Sequence, residues 1–341
     1  MSVARHLLRF AAAIVAAAAF CGAAARADAL PVTVALPGPG STVSLPLELA
    51  IALGYDREEG LAIKPRYILG GGTALRDLQS GVANFTMHGM PAAMLNRLQE
   101  ERYVTLMPID DQPQYVLMVR GDLKGRIKSP RDLAGSTIGI HANSLTNKTT
   151  SHQLTELLLQ GAGVGRDKVR YVAEGTEWAS VSSAFRSGAV DAGMTDEPFA
   201  TRLAAAGLAY PIFRTSDRAD QRRLAGAGFL RVALHGRSDQ VEADPLAAER
   251  LVRVLQKTLR WIATHTPEQI VSRLGLSGET REAMLTVLHR NPRQYSRDGR
   301  FSTAQLRETE IFFRAGNPDN AAAQRLTIDS MVFDRWAGRK P

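Results

Sequence analysis

Cysteine is nearly missing from this 341-residue chain, and Cys21 stands alone. Once the amino-terminal leader discussed below is removed, nothing remains for a disulfide, a thiolate nucleophile or a cysteine metal site. The short signatures of catalysis are missing too. There is no G-x-S-x-G elbow, no H-E-x-x-H, no G-x-G-x-x-G and no Gly-Lys-Ser/Thr phosphate loop. Acids are in deficit, 34 against 42 Lys and Arg, yet no long basic run exists. The arginines are interleaved with acids, as in Asp217-Arg218 and Glu249-Arg250, which reads as a solvated surface and argues against nucleic acid as a partner. Beyond the amino terminus no stretch is apolar for long enough to span a bilayer. No metal-ligand cluster and no cofactor motif is found, so neither a metal nor a cofactor is expected.

What is present begins with the leader. Arg5 and Arg9 precede an apolar run from Phe10 to Cys21, and Ala25-Arg26-Ala27 precedes Asp28. A charged start, a short apolar stretch and an A-x-A site predict a signal peptide over residues 1–27. Phe20 before Cys21 argues against a lipid-modified cysteine. The expected product is a soluble, exported chain of 314 residues (341 less 27), with Arg5, Arg9 and Arg26 gone and formal charge lowered from +8 to +5. That length suits two domains with cores of their own.

The most informative pattern is a repeat. Ser80-Gly81-Val82-Ala83-Asn84-Phe85-Thr86-Met87-His88-Gly89-Met90-Pro91 returns 107 residues later as Ser187-Gly188-Ala189-Val190-Asp191-Ala192-Gly193-Met194-Thr195-Asp196-Glu197-Pro198. Each copy reads as a tight turn, a short strand, a polar tip and a helix with Pro in its first turn. Around the copies, strands at Val32–Leu36, Leu61–Leu69, Tyr103–Ile109, Thr137–Ile140, Val169–Val172 and Tyr210–Phe213 alternate with helical segments. The expected fold is therefore α/β: a two-lobe clamshell, each lobe a mostly parallel sheet flanked by helices. Tyr115–Arg120 and Gly228–Leu234 are expected to be the two crossing hinge strands. Lobe 1 would be discontinuous, 28–116 with 231–341, and lobe 2 would span 117–230. The helices after Pro245 are expected to pack on lobe 1.

Three groups of residues can face a ligand where strands end. Gly70-Gly71-Gly72-Thr73 follows a strand, with Thr73 read as the cap of the next helix. His141-Ala142-Asn143-Ser144-Leu145-Thr146-Asn147 follows another, with a helix expected over Leu145–Leu159. The two repeat tips, His88-Gly89 and Thr195-Asp196-Glu197, form the third. Helix starts at Thr73 and Ser144 favour an anionic head group. Against this, Glu174, Glu177, Asp196 and Glu197 gather acid at one lobe's mouth and suit an amine, so the ligand's charge stays open. Tyr115 and Trp178 can wall a cleft or belong to the core.

The run Ser129-Pro130-Arg131-Asp132-Leu133-Ala134-Gly135-Ser136-Thr137-Ile138-Gly139 completes a set. Together with Gly71-Gly72-Thr73-Ala74, Gly121-Asp122-Leu123 and the second repeat copy, it resembles the periplasmic substrate-binding proteins of ABC importers for nitrate, taurine and aliphatic sulfonates. This group is related to binders of thiamine-pyrimidine precursors, and the likeness covers roughly Val32 to Leu234. It implies capture of a small organic anion between two lobes, delivery to a membrane ABC permease, periplasmic location and no chemistry on the ligand. A monomer is expected. Its ligand-lining positions map onto Ser41, Thr42, Gly72, Thr73, His88, Gly89, Asn143, Ser144, Leu145, Thr146, Thr195, Asp196 and Glu197. The alternatives are an amine or pyrimidine ligand, or an exported enzyme or sensor on the same fold.

Overall fold

The computed structural model describes residues 29–341, apart from 69–70, 142–143 and 145–147. The expected signal peptide lies outside the described residues. Among the described residues, ten strands form two five-stranded sheets. The first holds β1 (Leu30–Pro37), β2 (Leu61–Ile68), β3 (Phe85–Gly89), β4 (Tyr103–Pro108) and β10 (Val232–Arg237) in the order β2-β1-β3-β10-β4. The second holds β5 (Tyr115–Arg120), β6 (Thr137–His141), β7 (Arg170–Glu174), β8 (Ala192–Asp196) and β9 (Ala209–Arg214) in the order β7-β6-β8-β5-β9. In each sheet one strand, β10 or β5, runs against its neighbours. These are the first strands laid down after each passage between sheets. The clamshell of two mostly parallel, helix-flanked lobes is thus the fold of this chain.

The repeat explains why the two sheets match. β3 and β8 occupy the same third place in their sheets, and the turns before them carry Gly81 at φ 72° and Gly188 at φ 75°, a conformation that favours glycine. Asn84 and Asp191 then do one job twice. Asn84 accepts the Thr33 N–H on its side chain at 2.8 Å and gives its own N–H to the Thr33 carbonyl at 2.9 Å. Asp191 accepts the Thr137 N–H at 2.9 Å and donates to the Thr137 carbonyl at 2.8 Å. Each thereby ties the entry of the central strand to the strand beside it.

Helices cover the sheets: α1 (Leu45–Ala52), α2 (Gly71–Gln79), α3 (Met90–Gln99), α4 (Thr150–Gly161), α5 (Trp178–Arg186) and α6 (Phe199–Ala205), then α7 (Pro245–Ile262), α8 (Gly278–Arg290) and α9 (Thr303–Ala315). The core of the first lobe takes in Leu251, Leu255 and Leu259 of α7 and Phe313 of α9. The carboxyl-terminal helices do more than coat that lobe. Phe312 of α9 stacks on Phe229 with ring centroids 4.1 Å apart, inside the core of the second lobe. Asn317 donates to Gln153 of α4 at 2.9 Å.

Of the two expected crossings, Tyr115–Arg120 is β5 and lies wholly within the second sheet, whereas Gly228–Leu234 takes in the end of the return passage and the first three residues of β10. The chain passes between lobes between Pro108 and Tyr115 and between Arg214 and Val232, with Phe229 in the second lobe's core and Leu230 in the first lobe's. An apolar extended run pairs wherever it finds a sheet edge, so the polar stretches around it are left to cross. Among the described residues, no helix is long and apolar enough to span a membrane.

The two ties differ in setting. Asn84 is exposed, whereas Asp191 is partly buried and also meets Arg120 at 3.1 Å. Asn84→Ala should cost about 0.5–1 kcal/mol and Asp191→Ala about 1–3 kcal/mol in urea unfolding, because the charged acceptor has more to lose. Equal losses would mean that the ties are not carried by the side chains.

Candidate functional site

The carboxyl ends of β1, β3, β6, β7 and β8 converge where the lobes meet. Two small cavities adjoin there, about 30 Å³ and about 20 Å³, and Pro37, His141 and Asp196 line both. The first is also bounded by His88, Gly89, Tyr115, Thr149, Thr150 and Ser151. The second is bounded by Ser41, Glu174, Gly175, Thr176 and Thr195. A water needs about 10–15 Å³ of such space, so each has room for one or two waters. The cleft is closed, and anything larger enters only as the lobes part. Larger hollows near Arg166 and between α6 and α8 lie outside this meeting point.

One buried cation organises the floor. Arg231 is fully buried, and its Nε donates to Asp110 at 2.7 Å. Its terminal nitrogens donate to the Thr42 hydroxyl at 3.1 and 3.2 Å and to Asp196 at 3.4 Å. Asp110 also accepts the Val232 N–H at 2.9 Å. Burial works against the Arg231 charge, but Asp110 and then Asp196 outweigh it and hold its pKa above the ordinary value. Burial lifts the Asp110 and Asp196 carboxyls to about 6 each, with Arg231 pulling both the other way. The two sides of this cluster pull in opposite senses. The 2.7 Å contact and the second donor from Val232 favour the charged pair.

Glu174 sits at the end of β7 with its Oε2 buried and without a hydrogen bond among the described residues. Burial, and then the nearby Asp196 charge, push its carboxyl up to about 8. Burial pushes His141 down to about 4. It also pushes His88 down to about 4, although the Gly89 carbonyl favours the proton. Both imidazoles are therefore neutral near pH 7. His88 Nε2 lies 2.6 Å from the Tyr103 hydroxyl, which fixes the ring at the edge of the first cavity. Among the described residues, no Lys or Arg lines either cavity.

Of the residues expected from sequence, Ser41, His88, Gly89, Thr195 and Asp196 meet at these cavities. Thr42 lies beside them as a strut: its N–H donates to the Glu197 carbonyl at 3.0 Å and its hydroxyl serves Arg231. Glu197 turns away from the cavities. It receives Arg214 and Arg290, each at 3.2 Å, and its Oε2 accepts the Thr201 N–H at 3.0 Å. Gly72 and Thr73 line neither cavity. Helix α2 starts at Gly71, so Thr73 falls inside its first turn instead of capping it. Ser144 is buried, and its hydroxyl lies 2.6 Å from that of Thr149. Thr149, not Ser144, caps α4, which begins at Thr150. Asn143, Leu145 and Thr146 lie outside the described residues. Trp178 carries Arg202 over its ring at 3.8 Å, away from the cavities, whereas Tyr115 does wall the first.

Sequence reasoning missed Arg231 and the Thr149–Ser151 run, named His141 only as the first residue of a ligand-facing loop, and kept Glu174 only as a mouth acid. A lone arginine heading the apolar run Leu230–Leu234 was a usable signal, because such a charge must be paired when buried. His141 and Glu174 both end strands, the place where α/β sheets hold ligands.

Two stability outcomes follow. Arg231→Leu should cost about 3–5 kcal/mol by leaving Asp110 buried and unpaired, and Arg231→Leu with Asp110→Leu should recover much of it. Urea unfolding of the single and double variants checks this. The second concerns Glu174. An unfolded Glu titrates near 4.3, roughly, so between there and about 8 the folded state holds the extra proton. Stability due to this group is present below that window and lost as pH rises through it. Glu174→Gln should match wild type near pH 4 and become increasingly the more stable toward pH 8. A constant difference across that range would contradict the buried setting described.

The profile of the family described as NMT1/THI5 like matches residues 41–270, two thirds of the chain. No curated protein sequence matches significantly. Among solved structures, a protein of Bordetella bronchiseptica RB50 superposes with TM-score 0.80 at 21% identity, covering 90% of this chain and 95% of that one. The alkanesulfonate-binding protein SsuA from Xanthomonas axonopodis pv. citri, bound to MOPS, gives TM-score 0.70 at 15% identity, over 90% and 99%. The periplasmic nitrate-binding protein NrtA from Synechocystis PCC 6803 gives 0.67 at 13%, over 89% and 86%. These likenesses establish the two-lobe periplasmic-binding-protein fold, and the matched profile establishes that this chain belongs to the NMT1/THI5-like family.

Proposed function

We propose that this protein is an exported solute-binding protein that captures one small molecule between its lobes and delivers it to an ABC permease. One observation carries the reading: the two cavities are walled from both lobes, by the carboxyl ends of strands β1 and β3 on one side and β6, β7 and β8 on the other. A ligand held there touches both lobes at once and so stabilises the closed form over any open one. Ser41, His88, Gly89, Thr195 and Asp196 belong to the proposed contact set, joined by Thr149, Thr150, Ser151 and Glu174. The two passages between lobes serve as hinges, and residues 1–27 direct the chain to the periplasm.

A small organic anion such as a sulfonate or nitrate is one ligand class. It is supported by what SsuA and NrtA bind and by hydroxyls at the start of α4. The unpartnered Oε2 of Glu174 and the lack of a Lys or Arg among the described lining residues favour the second reading, a nitrogen-bearing ligand.

A ligand at 100 times its Kd should stabilise the protein by about 2.7 kcal/mol in thermal unfolding. X-ray scattering of the unliganded protein should show a particle larger than the closed form described here, contracting on binding. Chemical conversion of the bound molecule by pure protein would replace this reading with an enzymatic one.

A further inference from the structure

We propose that Glu174 selects the ligand, and that the ligand presents a protonated nitrogen to its carboxylate. This rests on the capture reading above and names the class of molecule captured. The first observation is the unmet Oε2 of Glu174, buried at the end of β7 on the wall of the second cavity. A buried polar atom without a partner is unfavourable, and the group is kept where its partner arrives from outside.

The second observation is a cradle shaped to hold that carboxyl. Gly139 of β6 and Gly193 of β8 face each other in register. A Cβ at Gly139 would collide with Oε2, and one at Gly193 would come within 3.0 Å of it. The missing side chains leave a slot over the sheet, and the carboxyl lies in it. Val181 joins Glu174 in walling the same cavity. Among the described residues the slot offers Oε2 no donor, and Glu174 also borders the cavity, from which a donor can reach its carboxyl.

The third observation is charge. Asp196 borders the same cavity, no lining side chain among the described residues is a Lys or Arg, and Arg231 behind it already serves Asp110 and Asp196. A simple anion would enter a space that holds acids and no unspent positive charge. A ligand carrying a cation supplies what is missing, and any anionic end can reach the hydroxyls of Thr149, Thr150 and Ser151 in the adjoining cavity.

The test uses the full mature chain and probes that differ only in amine against hydroxyl: taurine and isethionate, β-alanine and 3-hydroxypropionate, benzylamine and benzyl alcohol. Calorimetry should find at least one pair whose amine binds about tenfold or more tightly than its hydroxyl partner, the scale of a charge-assisted hydrogen bond. Glu174→Gln should erase that preference, whereas Glu242→Gln, on an exposed site of the other lobe, should leave it intact. Gly193→Ala, which crowds the carboxyl from beneath, should weaken amine binding as well and covers the case of a poorly folded Glu174→Gln. Equal binding within every pair, no amine bound at millimolar concentration, or an amine preference that survives both variants would overturn the proposal. Binding of amine-free sulfonates or nitrate more tightly than any of the amines, with contraction of the particle, would sink the ligand class and leave the capture reading standing. Turnover would remove the capture reading alone.

Discussion

The cleft of this protein depends on one buried guanidinium. Arg231 closes the return passage between lobes, and Asp110 opens the outward one just after β4. Their 2.7 Å contact therefore clamps the two connectors side by side. Thr42 from the first lobe and Asp196 from the second add longer bonds to the same group, at 3.1 and 3.4 Å. The lengths divide the labour. The short pair lies within the crossing and resists separation, because parting it would leave charge in a dry interior. The longer arm to Asp196 spans the lobes and is the one that opening would stretch. A cleft floor built on one charge holds the two connectors and the tips of both lobes together.

Much of this was legible in the sequence because it is local and repeated. The two copies of the strand–tip–helix unit predicted two similar sheets with tips at the same level. The Asn84 and Asp191 ties show why those residues align although their neighbours differ. Positive-φ turns at Gly81 and Gly188, and Pro after each strand, are short-range signals that need no knowledge of the rest of the chain. The crossings were harder. Tyr115–Arg120 is a strong strand former, and strand propensity says nothing about which sheet will accept it. Tertiary pairing placed it within the second sheet, beside β8 and β9.

The site was less legible, for physical reasons. Hydrophobic spacing extends the expected helix back to Leu145. The start of α4 was instead decided by Thr149, whose hydroxyl accepts the His152 N–H. Ser144 and Thr73 looked like anion-binding helix starts only while the helix boundaries stood where spacing put them. Glu197 looked like a ligand contact because it shares the tip with Asp196. Adjacent residues at a strand end point to opposite faces, so one enters the cleft and the other meets Arg214 and Arg290. The roles of Glu174 and Arg231 rest on burial, which a sequence does not print.

How a cleft with two acids can shut at all follows from the same burial. Asp196 has Arg231 within reach, so its charge is partly answered. Glu174 has no such partner, and two ionised carboxylates in one dry space would repel each other. The raised Glu174 titration, to about 8, resolves this by keeping that group protonated near neutrality. The closed, unliganded form then carries one compensated charge on this wall in place of two competing ones. Proton occupancy at Glu174 thus holds the place that a cationic partner would take, and the lobes can meet over it without opening the cleft to water.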